Sequence, residues 1–219
     1  MRVVDRLRKD AHAIWEKIIE HPFVVELVKG NLPLEKFKFY LLQDYQYLIT
    51  AIKNFGIIAS RAPSVEGMRE VIDILNLEAK SEFDGYKEFL GRLGFTLQNA
   101  SEIEPISVSV SYSSFLLSTS SLKSYAEAIT SVLPCFWSYA EIADHHRESL
   151  STNKNQLYKD WGEVYGTDSY LSLVEKIKIL VNKAGEGLAY EKLKTVFIVA
   201  SRYEYMFWDA VYNQLEWPV

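Results

Sequence analysis

The sequence of 219 residues predicts an all-α protein. Apolar side chains recur at three- and four-residue steps over most of the chain, which is the period of an amphipathic helix. Prolines and glycines interrupt this pattern, and no alternating run has a second run with which it could pair as a strand. The chain has no internal repeat and no linker long enough to divide it. We therefore expect one domain, residues 1–219, built as a bundle of about seven or eight helices.

Breaker residues separate the expected helices. Ser120-Ser121 and Thr167-Asp168 are the expected caps of two of them. The helices expected between the breakers are residues up to about Glu20, a short apolar turn over Phe23 to Val28, about Leu34 to Ala62, Ser64 to about Leu90, about Leu122 to Leu150, a short helix around Trp161, about Tyr170 to Lys183, and a last helix carrying Leu193 to Leu215.

Two stretches depart from the regular helical pattern. Val108, Val110 and Tyr112 alternate as in a strand, but a lone strand has no partner, so we expect an extended loop or the start of a helix. Pro134 lies inside a helical run and removes a backbone donor there. It must therefore either kink that helix or mark a boundary between two helices.

Composition and charge exclude several classes of function. The net charge of -5 and the absence of a clustered basic stripe argue against a nucleic-acid partner. A single cysteine makes no internal disulfide, which is typical of a reducing compartment. The N-terminus has no apolar signal core, and no segment of about 18 apolar residues occurs, so we expect a cytoplasmic protein without a membrane partner.

Two carboxylates occupy helix positions where the pattern calls for an apolar side chain. Asp44 lies in the inner stripe of the helix that begins near Leu34, and Glu204 lies in that of the last helix. Burial of an isolated carboxylate is costly, so each either has a partner or serves a pocket. Asp44 could pair with a tyrosine hydroxyl such as that of Tyr47, which shares its helix face, or it could cap another helix. Glu204 could form an ion pair with an arginine such as Arg202, but Arg202 lies on another face of the helix. Desolvation raises a carboxyl pKa toward the range useful for proton transfer.

The one cysteine, Cys135, directly follows Pro134 in an aromatic helical run. A thiol in such a setting is either a small buried hydrophobic group or a nucleophile. The second role requires a neighbouring hydroxyl or carboxylate that places or removes the thiol proton. Tyr139, one turn further along the same face, is placed to orient a ligand. From the residues alone, both alternatives for Cys135 stand.

Metal and phosphate sites find little support. Glu141 and His145 are four residues apart, and Glu78 and Glu82 form an acidic pair. A di-iron bundle needs Glu-x-x-His on two helices with two further glutamates, which the chain lacks. His145 and His146 are expected at a solvated helix end. Neither a glycine-rich phosphate loop nor a serine-hydrolase elbow occurs, so we expect no metal and no cofactor.

A set of short segments runs through the whole chain in a characteristic order. They are His21 to Val24 (HPFV), Gly30 to Phe37 (GNLPLEKF), Tyr40 to Leu48 (YLLQDYQYL), Ser111 to Ser113 (SYS), Leu133 to Trp137 (LPCFW), Tyr165-Gly166 after Trp161, and Tyr203 to Trp208 (YEYMFW). No single segment is decisive. Together and in this order they resemble the TenA/thiaminase II family, the aminopyrimidine aminohydrolases, and specifically the members that contain a cysteine.

The resemblance implies a fold, an activity and an assembly. The fold is all-α and haem-oxygenase-like, without haem, and the assembly is a homotetramer. The activity is hydrolysis of 4-amino-5-aminomethyl-2-methylpyrimidine to the 5-hydroxymethyl pyrimidine with release of ammonia, in thiamin salvage. Many family members also cleave thiamin into pyrimidine and thiazole. The expected partner is therefore a small molecule, an aminopyrimidine or thiamin.

The resemblance also implies roles for residues that match the family pattern by type. Cys135 is the expected nucleophile, Glu204 the proton donor to the leaving group, and Tyr47 the residue that promotes the thiolate. The substrate-binding residues expected from the family are Asp44, which anchors the aminopyrimidine, Tyr139 and Tyr165, which contact it, Tyr112 in the same pocket, and Phe207 in its wall.

Three positions depart from the family pattern. Gln46 stands where an aromatic residue is frequent, and Ile49-Thr50 stands where Thr-His is common. The loop from Tyr165 to Asp168 lacks a second glycine. These changes leave the chemistry intact and leave open whether thiamin or the aminomethyl pyrimidine is preferred.

Two other classes of function compete with the hydrolase. One is a binding or regulatory protein that keeps the pocket and has lost turnover, against which the intact set of Cys135, Asp44 and Glu204 argues. The other is a haem- or metal-dependent oxidase of the same fold, which a Soret band or bound iron in the purified protein would reveal.

Overall fold

The structure, a computed structural model, describes all 219 residues and contains helices but no strand. The all-α prediction is confirmed. The helices are α1 (Val3–Asp10), α2 (His12–Ile19), α3 (Pro22–Val28), α4 (Leu34–Ser60), α5 (Val65–Leu77), a π-helical turn (Glu78–Glu82), α6 (Phe83–Arg92), α7 (Leu97–Glu102), α8 (Ser107–Leu122), α9 (Tyr125–His145), α10 (Arg147–Thr152), α11 (Gln156–Val164), α12 (Asp168–Gly185) and α13 (Tyr190–Tyr212).

The expected number of about seven or eight helices is wrong. The first expected helix breaks at Ala11, whose φ of -89° and ψ of 0° interrupt the α conformation. The helix expected from Ser64 to Leu90 is divided by the π-helical turn between α5 and α6. A break of one residue leaves the apolar periodicity almost unchanged, and a π-helical turn only shifts its register by one residue, so a pattern search detects neither.

The segment with alternating Val108, Val110 and Tyr112 is helix α8, so the extended-loop alternative is wrong. The buried face of α8 consists mostly of small polar residues, among them Ser109, Ser113 and Ser120. The Thr50 hydroxyl of α4 donates to the Ser113 hydroxyl at 3.1 Å. Because small residues replace large apolar ones on this face, α4 and α8 pack closely while the helical hydrophobic signal is lost.

Helix α9 crosses the middle of the molecule and packs against α2, α4, α8, α12 and α13. It runs through Pro134 without interruption, so Pro134 does not mark a boundary. Its N-cap is Ser124, whose side chain bonds the Glu127 backbone in a capping box, rather than the predicted Ser120-Ser121 pair. Thr167 caps α12 as predicted. Almost the whole circumference of α9 is buried, which fixes the position of the thiol it carries.

Aromatic side chains fill the core between α2, α9 and α13. Trp15 stacks on Phe197 with ring centroids 5.8 Å apart and meets Trp137 edge-on. Its indole N–H donates to the Ser201 hydroxyl at 2.9 Å. Burial of each such side chain contributes about 1.5–3 kcal/mol, and these contacts hold α13, with Glu204, in register against α9.

The histidine pair at the end of α9 is only half solvated. His145 is 52% exposed and its ring lies 2.8 Å from a Glu20 carboxylate oxygen. His146 is buried, and its Nε2 lies 2.9 Å from the Ile19 carbonyl oxygen. The prediction of a solvated helix end therefore holds for His145 and is wrong for His146.

None of the helices combines the length and apolar character that a membrane crossing requires.

Candidate active site

Two adjoining cavities share walls formed by α4 and α9; the first extends to the π-helical turn and α12, and the second to α8 and α13. Asp44, Tyr47, Cys135 and Tyr139 line both of them. The first is about 30 Å³ in volume and is completed by Leu48, Glu78, Glu82, Phe136, Tyr165 and Tyr170. The second is about 20 Å³ and is completed by Ser109, Tyr112, Glu204 and Phe207. Each volume is of the order that a water molecule or two needs, so a ring ligand requires the lining side chains to move apart.

All eight residues expected at the site line these two cavities. They come from five elements: α4, α8, α9, α13 and the turn after α11. Asp44 and Cys135 are 91 residues apart in the sequence, and Cys135 and Glu204 are 69 residues apart. The fold therefore brings the two buried carboxylates and the thiol to one place, which the helical registers alone did not establish.

The Cys135 residue is partly buried, packs against the hydrophobic core and lines both cavities. Burial raises its pKa well above the ordinary value, and the charge of Glu204 raises it further. Interaction with the Tyr47 hydroxyl acts in the opposite direction. A thiol in this setting is protonated at neutral pH until something stabilises its anion.

Glu204 is 3% exposed and forms a hydrogen bond with Tyr112. The Tyr112 hydroxyl donates to Oε1 of Glu204 at 2.6 Å. Burial raises the pKa of Glu204 to about 7, and the interactions with Tyr112 and Cys135 limit the rise. Glu204 forms no ion pair with Arg202, so the alternative that it belongs to a buried ion pair is wrong. A carboxyl that titrates near pH 7 is suited to proton transfer in either direction.

The Asp44 side chain forms no hydrogen bond and no ion pair with another residue of the protein. The alternative that it is paired with a tyrosine, or caps a helix, is therefore wrong. Burial raises its pKa to about 8, and the charges of Glu82 and Glu204 add to the effect. At neutral pH the side chain is a carboxylic acid, with one donor and one acceptor turned toward the cavity.

Three tyrosine rings line the first cavity together with Asp44. Tyr139 and Tyr165 lie 4.7 Å apart between ring centroids, and Tyr165 meets Tyr170 edge-on at 5.1 Å. The Tyr170 hydroxyl donates to the Phe136 carbonyl at 3.1 Å, which fixes α12 against α9. A flat heterocycle bound in the cavity near the thiol could stack on these aromatic rings.

Sequence reasoning missed two acidic residues of the first cavity, Glu78 and Glu82. Both belong to the π-helical turn between α5 and α6. Glu78 is 4% exposed, and no hydrogen bond or ion pair is formed by its side chain. Burial and the charges of Glu82 and Asp44 raise the pKa of Glu78, and burial raises that of Glu82 to about 6. The signal in the sequence was the acidic pair itself, which was weighed only as a metal motif.

No lysine, arginine or histidine lines either cavity. The larger surface cavity, about 580 Å³, lies on the other side of α9 around Trp137 and Lys178 and contains none of the expected residues. The side chains Glu20, His145 and His146 lie close enough together to hold a metal ion, but they are remote in the fold from Cys135. The polar and titratable side chains that line the two cavities are thus mainly a thiol, carboxyls and tyrosines.

A family model, described as the TENA/THI-4/PQQC family, matches residues 8–214. The chain belongs to this family. Curated relatives named aminopyrimidine aminohydrolase include one from Halalkalibacterium halodurans, 30% identical over 96% of each chain. Another, from Helicobacter pylori, is 31% identical over 97% of this chain and 100% of the relative. The predicted resemblance is confirmed.

Solved structures support the same assignment within the family. A TenA homologue from P. horikoshii OT3 has a TM-score of 0.93 and is 40% identical, over 97% of this chain and 99% of its own. A domain from Shewanella denitrificans with a heme oxygenase-like fold has a TM-score of 0.78 at 13% identity, over 96% of this chain and 92% of its own. The second likeness concerns the fold alone, and it confirms the haem-oxygenase-like architecture.

Proposed function

We propose that this protein is an aminopyrimidine aminohydrolase of the thiaminase II type. The observation that carries the proposal is the meeting of Cys135, Glu204 and Asp44 around two adjoining cavities walled by tyrosines. The names of the relatives from H. halodurans and H. pylori support the same chemistry. The proposed reaction converts 4-amino-5-aminomethyl-2-methylpyrimidine and water into the 5-hydroxymethyl pyrimidine and ammonia, as a step of thiamin salvage.

Asp44 is the proposed anchor of the substrate. The edge of a 4-aminopyrimidine presents a ring nitrogen that accepts and an amino group that donates. Protonated Asp44 presents the complementary donor and acceptor. Tyr139 and Tyr165 would contact the faces or edges of the ring, and Phe207 would close the wall beside Tyr112. Binding of the pyrimidine to Asp44 would place its aminomethyl carbon near both Cys135 and Glu204.

Cys135 is the proposed nucleophile. Its thiolate forms a bond to a carbon of the pyrimidine ring, and the electrons displaced through the ring break the exocyclic carbon–nitrogen bond. The Tyr47 hydroxyl would stabilise the thiolate by donating to the sulfur, in agreement with its effect on the thiol pKa. The amine departs with the bonding electron pair.

Glu204 is the proposed acid and base. As a carboxylic acid it gives its proton to an amine that arrives neutral, and as a carboxylate it then takes a proton from the water that adds to the exocyclic carbon. Expulsion of the thiolate restores the ring and completes the cycle. Tyr112 would hold the Glu204 carboxyl toward the reacting carbon through their 2.6 Å hydrogen bond.

The assembly and the domain organisation belong to the same proposal. The expected homotetramer predicts a solution mass about four times the 25.2 kDa of one chain, which light scattering coupled to gel filtration measures. A single domain over residues 1–219 predicts one cooperative unfolding transition.

Ammonia release tests the proposed activity directly. The purified protein is incubated with the aminomethyl pyrimidine or with thiamin, and ammonia, pyrimidine product and thiazole are quantified for each. We expect turnover of at least one substrate, and the ratio of the two kcat/KM values identifies the preferred leaving group. Binding of the pyrimidine without any product from either substrate would show a non-catalytic binding protein instead.

A further inference from the structure

The first cavity is lined by three carboxyl groups and by no lysine, arginine or histidine. Asp44, Glu78 and Glu82 all line it, and Glu204 lines the adjoining cavity. None of the four forms an ion pair with a lysine or arginine, and no basic side chain lines either space. Glu82, with a pKa of about 6, is ionised at neutral pH even without a ligand. Such an arrangement is unfavourable unless a positive group enters it.

Glu78 points independently to a ligand. Its side chain is 96% buried, lines the cavity, and has no hydrogen-bond or ion-pair partner among the interactions of the protein. A buried carboxyl that forms no such bond is rare, because its desolvation is then uncompensated. It lies on the π-helical turn Glu78–Glu82, and π-helical turns occur frequently at functional sites. The cavity is thus the one place where Glu78 can find a partner.

The same carboxyl groups bear on Cys135. Glu204, Asp44 and Glu78 each disfavour the thiolate when they are ionised, and only the Tyr47 hydroxyl favours it. Reactive cysteines usually have a lysine, arginine, histidine or helix N-terminus that stabilises the anion. Here the titratable groups that face the thiol are acids and tyrosines: Asp44 and Tyr47 on α4, Glu78 and Glu82 on the π-helical turn, Tyr112 on α8, Tyr139 on α9, Tyr165 and Tyr170 near α11 and α12, and Glu204 on α13.

We propose that the cavity selects a cationic ligand and that the positive charge of the ligand, rather than a basic side chain, stabilises the Cys135 thiolate. This inference rests on the proposed function for the identity of the ring. A primary amine is protonated at neutral pH, as the lysine side chain is, and thiazolium carries a permanent charge. An amine that arrives neutral gains its charge from Glu204. The hydroxymethyl product is neutral, so the carboxylates hold substrate more tightly than product.

The role of Glu78 and Glu82 is to supply charge at a distance. In a low-dielectric cavity a charge acts over several ångströms, so neither carboxylate needs to touch the amine. The thiol becomes nucleophilic only when the cation is present. The empty enzyme therefore keeps its cysteine protonated and protected from oxidation and alkylation.

Two matched probes test the selection of charge. They are 4-amino-2-methylpyrimidines that carry a 2-aminoethyl or a 2-hydroxyethyl group at position 5, and neither has a leaving group on the carbon next to the ring. Calorimetry measures their Kd values for the wild type, Glu78→Gln, Glu82→Gln and the control Glu88→Gln, an exposed residue of α6. We expect each cavity variant to weaken the amine at least tenfold and the alcohol less than twofold, with no change in the control. Equal losses for both probes would overturn the proposal.

The single cysteine allows the thiol itself to be observed, because protein labelled with [3-13C]cysteine gives one cysteine signal. We expect at least tenfold more thiolate at pH 8 in the aminoethyl complex than in the hydroxyethyl complex. Methylammonium chloride serves as a probe without the ring, and should raise the thiolate population in the wild type but not in a Glu78→Gln, Glu82→Gln double variant.

The proposed substrate and the selection of a cation can be tested separately. If the pyrimidine probes do not bind but methylammonium still raises the thiolate population, the proposed substrate is wrong and the cation selection stands. If ammonia is released from the substrate but the amine and alcohol complexes contain equal thiolate, the proposed function stands and the inference is overturned.

Discussion

The Tyr112 hydroxyl donates a 2.6 Å hydrogen bond to Oε1 of Glu204, and this bond joins α8 to α13 across the second cavity. It orients the one carboxyl of the site that titrates near pH 7. Because the bond favours the carboxylate, it keeps the pKa of Glu204 lower than burial alone would set it. The bond therefore adjusts the pH range in which Glu204 can act as an acid.

Removal of this bond should shift the pH–rate profile. Glu204 must be protonated to donate to an amine that arrives neutral, so kcat/KM for the neutral amine should fall above about pH 7 in the wild type. Tyr112→Phe raises the pKa of Glu204 and should move this alkaline limb upward by roughly one to two pH units, as expected for a lost hydrogen bond to a charged group. Tyr203→Phe is the control, because Tyr203 stacks on Tyr112 at 5.1 Å but does not bond Glu204. An alkaline limb that stays in place would remove Glu204 from the acid role.

Tyr47→Phe should act on the opposite limb. The Tyr47 hydroxyl lowers the pKa of the Cys135 thiol, so its loss should move the acidic limb of kcat/KM to higher pH. We expect a roughly 10- to 100-fold lower rate at pH 7, with partial recovery at higher pH. Tyr45→Phe, on the same helix but outside both cavities, should leave the profile unchanged. A uniform loss at every pH would indicate a role in substrate binding only.

The buried acids should make the folded protein less stable at alkaline pH. The pKa of Asp44 is raised in the folded state, so the native state binds an extra proton between the unfolded pKa near 4 and the folded value of about 8. The stabilisation associated with this proton is complete at low pH and is lost as the pH rises toward 8. Asp44→Asn should therefore raise the free energy of unfolding at pH 8.5 by roughly 2–5 kcal/mol and change it less at pH 5.

Urea unfolding at the two pH values measures this difference. The control is Asp73→Asn, an exposed aspartate on α5. An Asp44→Asn variant that is less stable than the wild type at pH 8.5 would contradict the raised pKa and the absence of a partner for Asp44.

A pair of glycine substitutions tests the packing on the far side of α9. A Cβ added to Gly162 would lie 2.3 Å from Cδ2 of Leu150, so Gly162→Ala should lower the free energy of unfolding by about 1–3 kcal/mol. Gly91 lies within α6 with nothing within 4 Å of an added Cβ. Gly91→Ala should therefore stabilise the protein by about 0.5–1 kcal/mol. Equal effects of the two substitutions on the thermal midpoint would show that the Leu150 side chain moves away from the added Cβ without strain.

The residues that line the two cavities were easier to predict from the sequence than the helices around them. Asp44 and Glu204 could be recognised because each interrupts a regular apolar stripe on a long helix, where the 3.6-residue period is reliable. Their meeting with Cys135 could not follow from period alone. It needed either the family resemblance or the fold, because the three residues lie on different helices.

Glu78, Glu82 and helix α8 were missed for physical reasons. A π-helical turn adds a residue to the helix, so the side chains at Glu78 and Glu82 no longer follow the α-helical register that a pattern search assumes. The buried face of α8 depends on serines such as Ser109 and Ser113, which pack closely but carry no hydrophobic signal. In both places tertiary packing, rather than local preference, decides the structure.

The central claim is that Cys135 is the nucleophile, and ammonia release by a Cys135→Ser variant tests it most directly. Serine keeps the shape of the side chain, and circular dichroism and the thermal midpoint confirm that the variant is folded. We predict that its kcat falls by at least about 10³-fold on the aminomethyl pyrimidine, because a hydroxyl at this position has no group to ionise it. Binding of the hydroxymethyl pyrimidine should persist within a few-fold. Turnover by the folded variant at the wild-type rate would contradict the account.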